Sequence, residues 1–112
     1  MARYIFVVHS DPREGQEDKF KEWYEQHLVN VTSKLGPFPR ARLYRALDKP
    51  TPLREELRYL TIYEIETDDI EGIPQVFMSG KADGLIHRDE AFNEETDTWA
   101  FFEQISEAVA PE

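Results

Sequence analysis

Residues 20–31 read Phe20-Lys21-Glu22-Trp23-Tyr24-Glu25-Gln26-His27-Leu28-Val29-Asn30-Val31. At about 100° per residue, Phe20, Tyr24, His27 and Val31 fall within a sector of roughly 60°, with Trp23 and Leu28 on its flanks and Leu35 continuing it. The segment is therefore an amphipathic helix, and His27 lies on the face that turns inward. A helix built only for packing has little use for an imidazole there, because leaving a buried polar group unsatisfied costs on the order of 1–3 kcal/mol. A polar partner must meet His27 inside the protein.

Reading outward from this helix fixes the rest of the order. Upstream, Tyr4 to His9 is β-branched and aromatic, apolar on both faces, and runs into the turn Ser10-Asp11-Pro12, which predicts a strand covered on both sides. The helix opens after Gly15 with Gln16-Glu17-Asp18, acids suited to the positive end of its dipole. It closes at Lys34-Leu35-Gly36-Pro37, where Gly suits a left-handed cap and Pro cannot continue the helix. Downstream, Arg40 to Leu47 alternates, with Arg40, Arg42, Tyr44 and Ala46 on one side and Ala41, Leu43, Arg45 and Leu47 on the other. A polar, two-proline connection over Asp48–Glu56 leads to a third strand, Arg58 to Glu66, with Tyr59, Thr61, Tyr63 and Ile65 on one face. These two strands are expected to form a hairpin. From Asp68, Ile70, Ile73, Val76 and Phe77 recur at helical spacing with Pro74 in the first turn, and the segment Ser79–Gly84 breaks the regularity. Leu85 to Asn93 reads as a short helical turn carrying His87, and Thr98 to Ile105 as a last strand before a frayed tail.

Strand, helix, strand, strand, helix, strand is the order of an α+β, ferredoxin-like βαββαβ fold, with a four-stranded antiparallel sheet and two helices on one face. Two helices leave the other face bare although the strands are apolar on both sides. A second copy packed sheet to sheet covers it, so a two-fold homodimer is expected.

Composition narrows the partners. At 112 residues the chain, 1–112, is read as one domain. Thirteen Lys and Arg against 23 Asp and Glu give a formal charge of −10, which repels phosphate backbones and anionic bilayers, so neither nucleic acid nor membrane is an expected partner. The absence of Cys removes thiol nucleophiles and thiolate metal sites. No apolar stretch has the length of a signal core or a membrane span, and a cytoplasmic location is the default. Gly80 and Gly84 lack the Lys-Ser/Thr of a phosphate loop, the three histidines have no metal-ligand spacing, and no Ser-centred nucleophile elbow occurs. Neither a cofactor nor a metal is expected.

Four stretches carry a resemblance: Asp11-Pro12, Phe20-x-x-Trp23-Tyr24-x-x-His27-Leu28, Ala41-Arg42-x-Tyr44-Arg45, and Arg58-Tyr59-Leu60-x-x-Tyr63-Glu64. Together they look like the dimeric α+β barrel superfamily, nearest its EthD-like branch, over roughly the first 66 residues and in the order of the remainder. The resemblance implies a ferredoxin-like subunit whose dimer closes into a barrel, with a pocket between helices and sheet. Its relatives include lactone isomerases, polyketide cyclases and dehydratases, monooxygenases and members without known activity.

Candidate site residues follow. His27 is read as a general acid or base, since an imidazole near pKa 6.5 both takes and gives a proton at cell pH; the alternative is a structural histidine bonded to a strand carbonyl or a Tyr hydroxyl. His9, at the end of the first strand, and Tyr24, on the face of His27, are candidate partners, against a strand-end histidine paired with Asp11 and an ordinary core tyrosine. Trp23 shapes an aromatic cavity or packs the core, and His87 closes a lid or sits in an exposed loop. Arg42 and Tyr44 on one strand, and Tyr63 with Thr61 on the next, form a row of donors across the sheet that either stabilises an enolate-like charge in substrate or meets the dimer mate. The leading expectation is a small cofactor-free enzyme that moves a proton on a compact cyclic or aromatic metabolite, as an isomerase, cyclase, dehydratase or lyase. The alternatives are a non-catalytic, small-molecule-binding or stress-related dimer and a cofactor-independent monooxygenase.

Overall fold

Strands and helices follow one another as β1 (Ala2–Ser10), α1 (Glu17–Lys34), β2 (Arg40–Arg45), β3 (Tyr59–Thr67), α2 (Ile73–Ala82) and β4 (Thr98–Glu103). The computed structural model describes residues 2–10, 12–47, 59–82 and 98–111. The connection expected over Asp48–Glu56 and the turn expected over Leu85–Asn93, with His87, lie outside them.

Local chemistry sets the element ends. Glu17 and Asp18 occupy the first turn of α1 and Lys34 the last, each complementing the helix dipole. Gly36 then takes φ +88°, a left-handed conformation that favours glycine. The chain doubles back, the Pro37 carbonyl accepts the Glu66 N–H at 3.1 Å, and Phe38 is driven fully into the core. A 3-10 turn, Ile70–Gly72, precedes α2 and is held by the Asp69 side chain, which accepts the Gly72 N–H at 3.2 Å.

Three boundaries depart from expectation. β1 begins at Ala2 and continues past His9, because Ser10 still pairs with Tyr59. α2 runs through Ser79-Gly80 to Ala82 instead of breaking there; a helical glycine costs about 1 kcal/mol, and packing of Ile73, Val76 and Phe77 into the core offsets it. β4 stops at Glu103, two residues before Ile105, where its pairing with β1 ends.

The sheet is antiparallel throughout, in the order β2-β3-β1-β4. Residues opposite one another share a face, so the register sorts every side chain. Arg45, Tyr59 and Ser10 form one row, Leu43, Thr61 and Val8 the next, and Ala41, Tyr63 and Phe6 the third. That face receives both helices: Val31 from α1 and Ile73 from α2 are buried in one cluster with Phe38, Tyr63 and Ile65. The opposite face carries Tyr44, Leu60 and His9 in one row and Arg42, Ile62 and Val7 in the next, with Phe102 beside Ile5 at the far edge. No helix among the described residues is long and apolar enough to cross a membrane.

Candidate active site

The buried side chains of α1 are Phe20, Tyr24, His27 and Val31, the stripe given by the helical period. Two of them are polar, and each finds a partner on the sheet. The hydroxyls of Tyr24 and Ser10 hydrogen-bond at 3.0 Å, and Nε2 of His27 lies 2.7 Å from Oη of Tyr63. At the second contact the phenol donates to a neutral imidazole, or a protonated ring donates to the phenol oxygen. Both partners are sealed from bulk water, His27 at 6% exposure and Tyr63 at 3%.

Aromatic rings wall this pair. Trp23 stacks on the His27 imidazole with centroids 4.4 Å apart and planes 16° from parallel, and Tyr24 meets it edge-on at 5.8 Å. Around Tyr63 stand Phe6 at 5.5 Å and Phe77 at 5.8 Å. A charge formed here has little water to answer it, so hydrogen bonds and oriented rings act at short range in a low dielectric.

The two ties from α1 land on different rows of the sheet. Tyr24 reaches the Ser10–Tyr59 row, and His27 reaches the Phe6–Tyr63 row. Between them runs the row of Val8, Thr61 and Leu43. Thr61 is fully buried, and its Oγ1 has no hydrogen-bond partner among the described residues. Such an orphaned hydroxyl costs about 1–3 kcal/mol relative to one that is satisfied.

Of the residues singled out from sequence, the fold brings together His27, Tyr24, Trp23 and Tyr63. It parts them from the others. Arg42 is in register with Ile62 and Tyr44 with Leu60, both on the outer face, and the Arg42 guanidinium lies 3.7 Å from Glu64. The row of donors expected to join Arg42 and Tyr44 to Tyr63 therefore does not form, because β2 and β3 pair with Arg42 and Tyr63 in opposite parity. His9 also points to the outer face, one residue before Ser10 turns inward, and its Nδ1 is buried with no hydrogen-bond partner among the described residues. His87 lies outside the described residues. Sequence reasoning passed over Ser10, read as a turn residue, although its parity already placed it on the same face of β1 as Phe6 and Val8. A cleft of about 570 Å³ opens elsewhere, where the C-terminal segment around Glu107 overhangs the outer face at Arg3, Ile5, Glu64 and Phe102. It touches none of the His27 cluster.

No protein-family profile and no curated protein matches the sequence, whereas solved structures match closely in shape. An ethyl tert-butyl ether degradation (EthD) family protein from Bacillus halodurans superimposes with a TM-score of 0.61 at 19% identity, over 94% of this chain and 100% of that one. SnoaB, a cofactor-independent oxygenase from Streptomyces nogalater, gives 0.57 at 16% identity over 100% of both chains. The heme-degrader MhuD from Mycobacterium tuberculosis, solved with two hemes in its active site, gives 0.59 at 15% identity over 95% of this chain and 99% of that one. Others of the same shape are described as dimeric ferredoxin-like proteins. The fold is thus ferredoxin-like α+β, shared with solved structures that include an EthD family protein and two proteins described as dimeric ferredoxin-like.

These neighbours correct the leading expectation. They are mostly described as monooxygenases, an oxygenase and heme-degraders, and none is described as an isomerase, cyclase, dehydratase or lyase, so that reading is set aside. The sequence could not separate these classes, since a buried imidazole beside a phenol is the same device whether the anion it creates is reprotonated or oxidised.

Proposed function

We propose that the protein is a cofactor-independent monooxygenase acting on an electron-rich phenol or enolisable aromatic ketone. The observation that carries this reading is the buried 2.7 Å hydrogen bond between His27 and Tyr63 within an aromatic wall. Structural likeness to SnoaB supports it. Without a cofactor, the electrons for dioxygen must come from the substrate, which has to be ionised first. The acidic proton of substrate passes to the Tyr63 oxygen as the Tyr63 proton passes to Nε2 of His27. The resulting imidazolium rests on the face of Trp23, a favourable cation–π arrangement. The carbanion gives one electron to dioxygen, and the two radicals join in a C–O bond. The peroxide anion takes the proton back from His27, and loss of water from the hydroperoxide leaves a carbonyl. In sum, a CH₂ group and dioxygen become C=O and water, with no outside reductant.

Heme is the other group that a structural neighbour holds. The described residues do not fit it at this site, because Nε2 of His27 is engaged by Tyr63 and its ring is covered by Trp23. Iron could reach Nε2 only by breaking that bond.

The test is oxygen uptake with anthrone, in air and with a chelator present. Anthrone is expected to give anthraquinone with one dioxygen consumed per ketone, and His27→Ala is expected to lower turnover at least about hundredfold. Oxygen-independent product, or a His27→Ala loss under about tenfold, rejects the reading.

We further infer that the working unit is a two-fold homodimer closed through the outer sheet face. Supporting this are Val7, Leu60 and Ile62, which no helix among the described residues covers, together with Phe102, which is 53% exposed. Arg40, Arg42 and Glu64 border the patch as matched charges that a two-fold mate can answer.

A further inference from the structure

Thr61 is a polar residue of the inner face whose hydroxyl no described residue answers. Its neighbours across the sheet, Val8 and Leu43, are apolar, and its neighbours along β3 on the same face are Tyr59 and Tyr63. On one side of its row α1 is tied down by Tyr24 to Ser10, and on the other by His27 to Tyr63. Thr61 is thus the floor position between the two polar ties, fully buried, with an Oγ1 that no described residue satisfies. Val has nearly the same shape and would fill that space without the cost of an orphaned hydroxyl. Buried hydroxyls of this kind are met by an ordered water or by a ligand.

We propose that Thr61 is a substrate-contacting residue of the His27–Tyr63 site, its hydroxyl donating a hydrogen bond to the carbonyl or phenolic oxygen of the aromatic substrate. This rests on the monooxygenase reading for the identity of the ligand but on the sheet register for the residue. The contact fixes which way round the ring system lies, so that the carbon to be deprotonated faces Tyr63. Specificity follows from it. A ring without an oxygen at that end leaves the hydroxyl unsatisfied and binds less well, as sites built to hydrogen-bond a substrate oxygen reject analogues that lack it.

The experiment compares the full-length wild type with Thr61→Val and Thr61→Ser. Three quantities are read: the melting temperature without ligand, the dissociation constant for anthraquinone by quenching of tryptophan fluorescence, and KM and kcat for anthrone. Thr61→Val is expected to melt no lower than wild type, to bind anthraquinone about tenfold more weakly, and to raise KM by a similar factor. Thr61→Ser is expected to keep wild-type affinity. Unchanged affinity in Thr61→Val overturns the proposal. So does a drop in its melting temperature that Thr61→Ser restores, since the hydroxyl would then serve the fold through a water. If wild type binds anthraquinone in a Thr61-dependent way yet consumes no oxygen with anthrone, the monooxygenase reading falls and the contact stands. Turnover with KM unmoved by Thr61→Val has the reverse meaning, and no binding by wild type overturns both.

Discussion

At the scale of the residue, His27 and Tyr63 act as one unit. Tyr63→Phe removes the hydroxyl at 2.7 Å from Nε2 and leaves the ring among Phe6, Phe38 and Phe77. Its expected cost is about 1–2 kcal/mol in urea unfolding, because a buried ring nitrogen loses its partner there. Its expected effect on anthrone turnover approaches that of His27→Ala, and the double variant is expected to be no slower than the worse single one, as groups in a relay are non-additive. Losses that multiply across the pair would show that the two residues act separately. The inward position of His27 was legible from the helical period alone. Its partner, 36 residues later, was not: alternation puts Tyr63 and Thr61 on one side of β3 without saying whether that side meets the helices.

At the scale of the element, the turn after α1 is where backbone conformation can be isolated from packing. A Cβ at Gly36 would meet no atom within 4 Å, so Gly36→Ala tests only the left-handed φ of +88°. The expected loss is about 1–2 kcal/mol, seen as a melting temperature several degrees lower, with Gly36→Asn milder because Asn tolerates this region. Equal stability of the three proteins would mean that the loop relaxes to a different turn. This cap was legible in Leu35-Gly36-Pro37. The burial of Phe38 was not, since a Phe between two prolines reads as loop until β3 lies beneath it. Likewise Ser79-Gly80 reads as a helix end, but Val76 and Phe77 hold α2 against the core, and tertiary packing overrides local propensity there.

At the scale of the whole molecule, the chain sets its described helices on one face of its sheet. Its radius of gyration is 15.0 Å, against about 13 Å for a compact chain of about 100 residues. Phe102, Ile105 and Val109 stand 53%, 88% and 81% exposed at the edge and tail of the outer side. Sedimentation at micromolar concentration is expected to give a dimer, and Ile62→Lys with Phe102→Glu to give a monomer with an unchanged far-UV spectrum. A wild-type monomer at that concentration would sink the dimer. The order of elements, the inward stripe of α1, the cap at Gly36 and the apolar excess on both faces of β1 were all set by the sequence itself, because periodicity and turn chemistry act over a few residues. Which strand face meets the helices was decided only by the tertiary structure, through the pairing register of β1, β2 and β3. That one choice, a matter of parity between residues far apart in the chain, turns Tyr63, Ser10 and Thr61 toward His27 and sends His9, Arg42 and Tyr44 away.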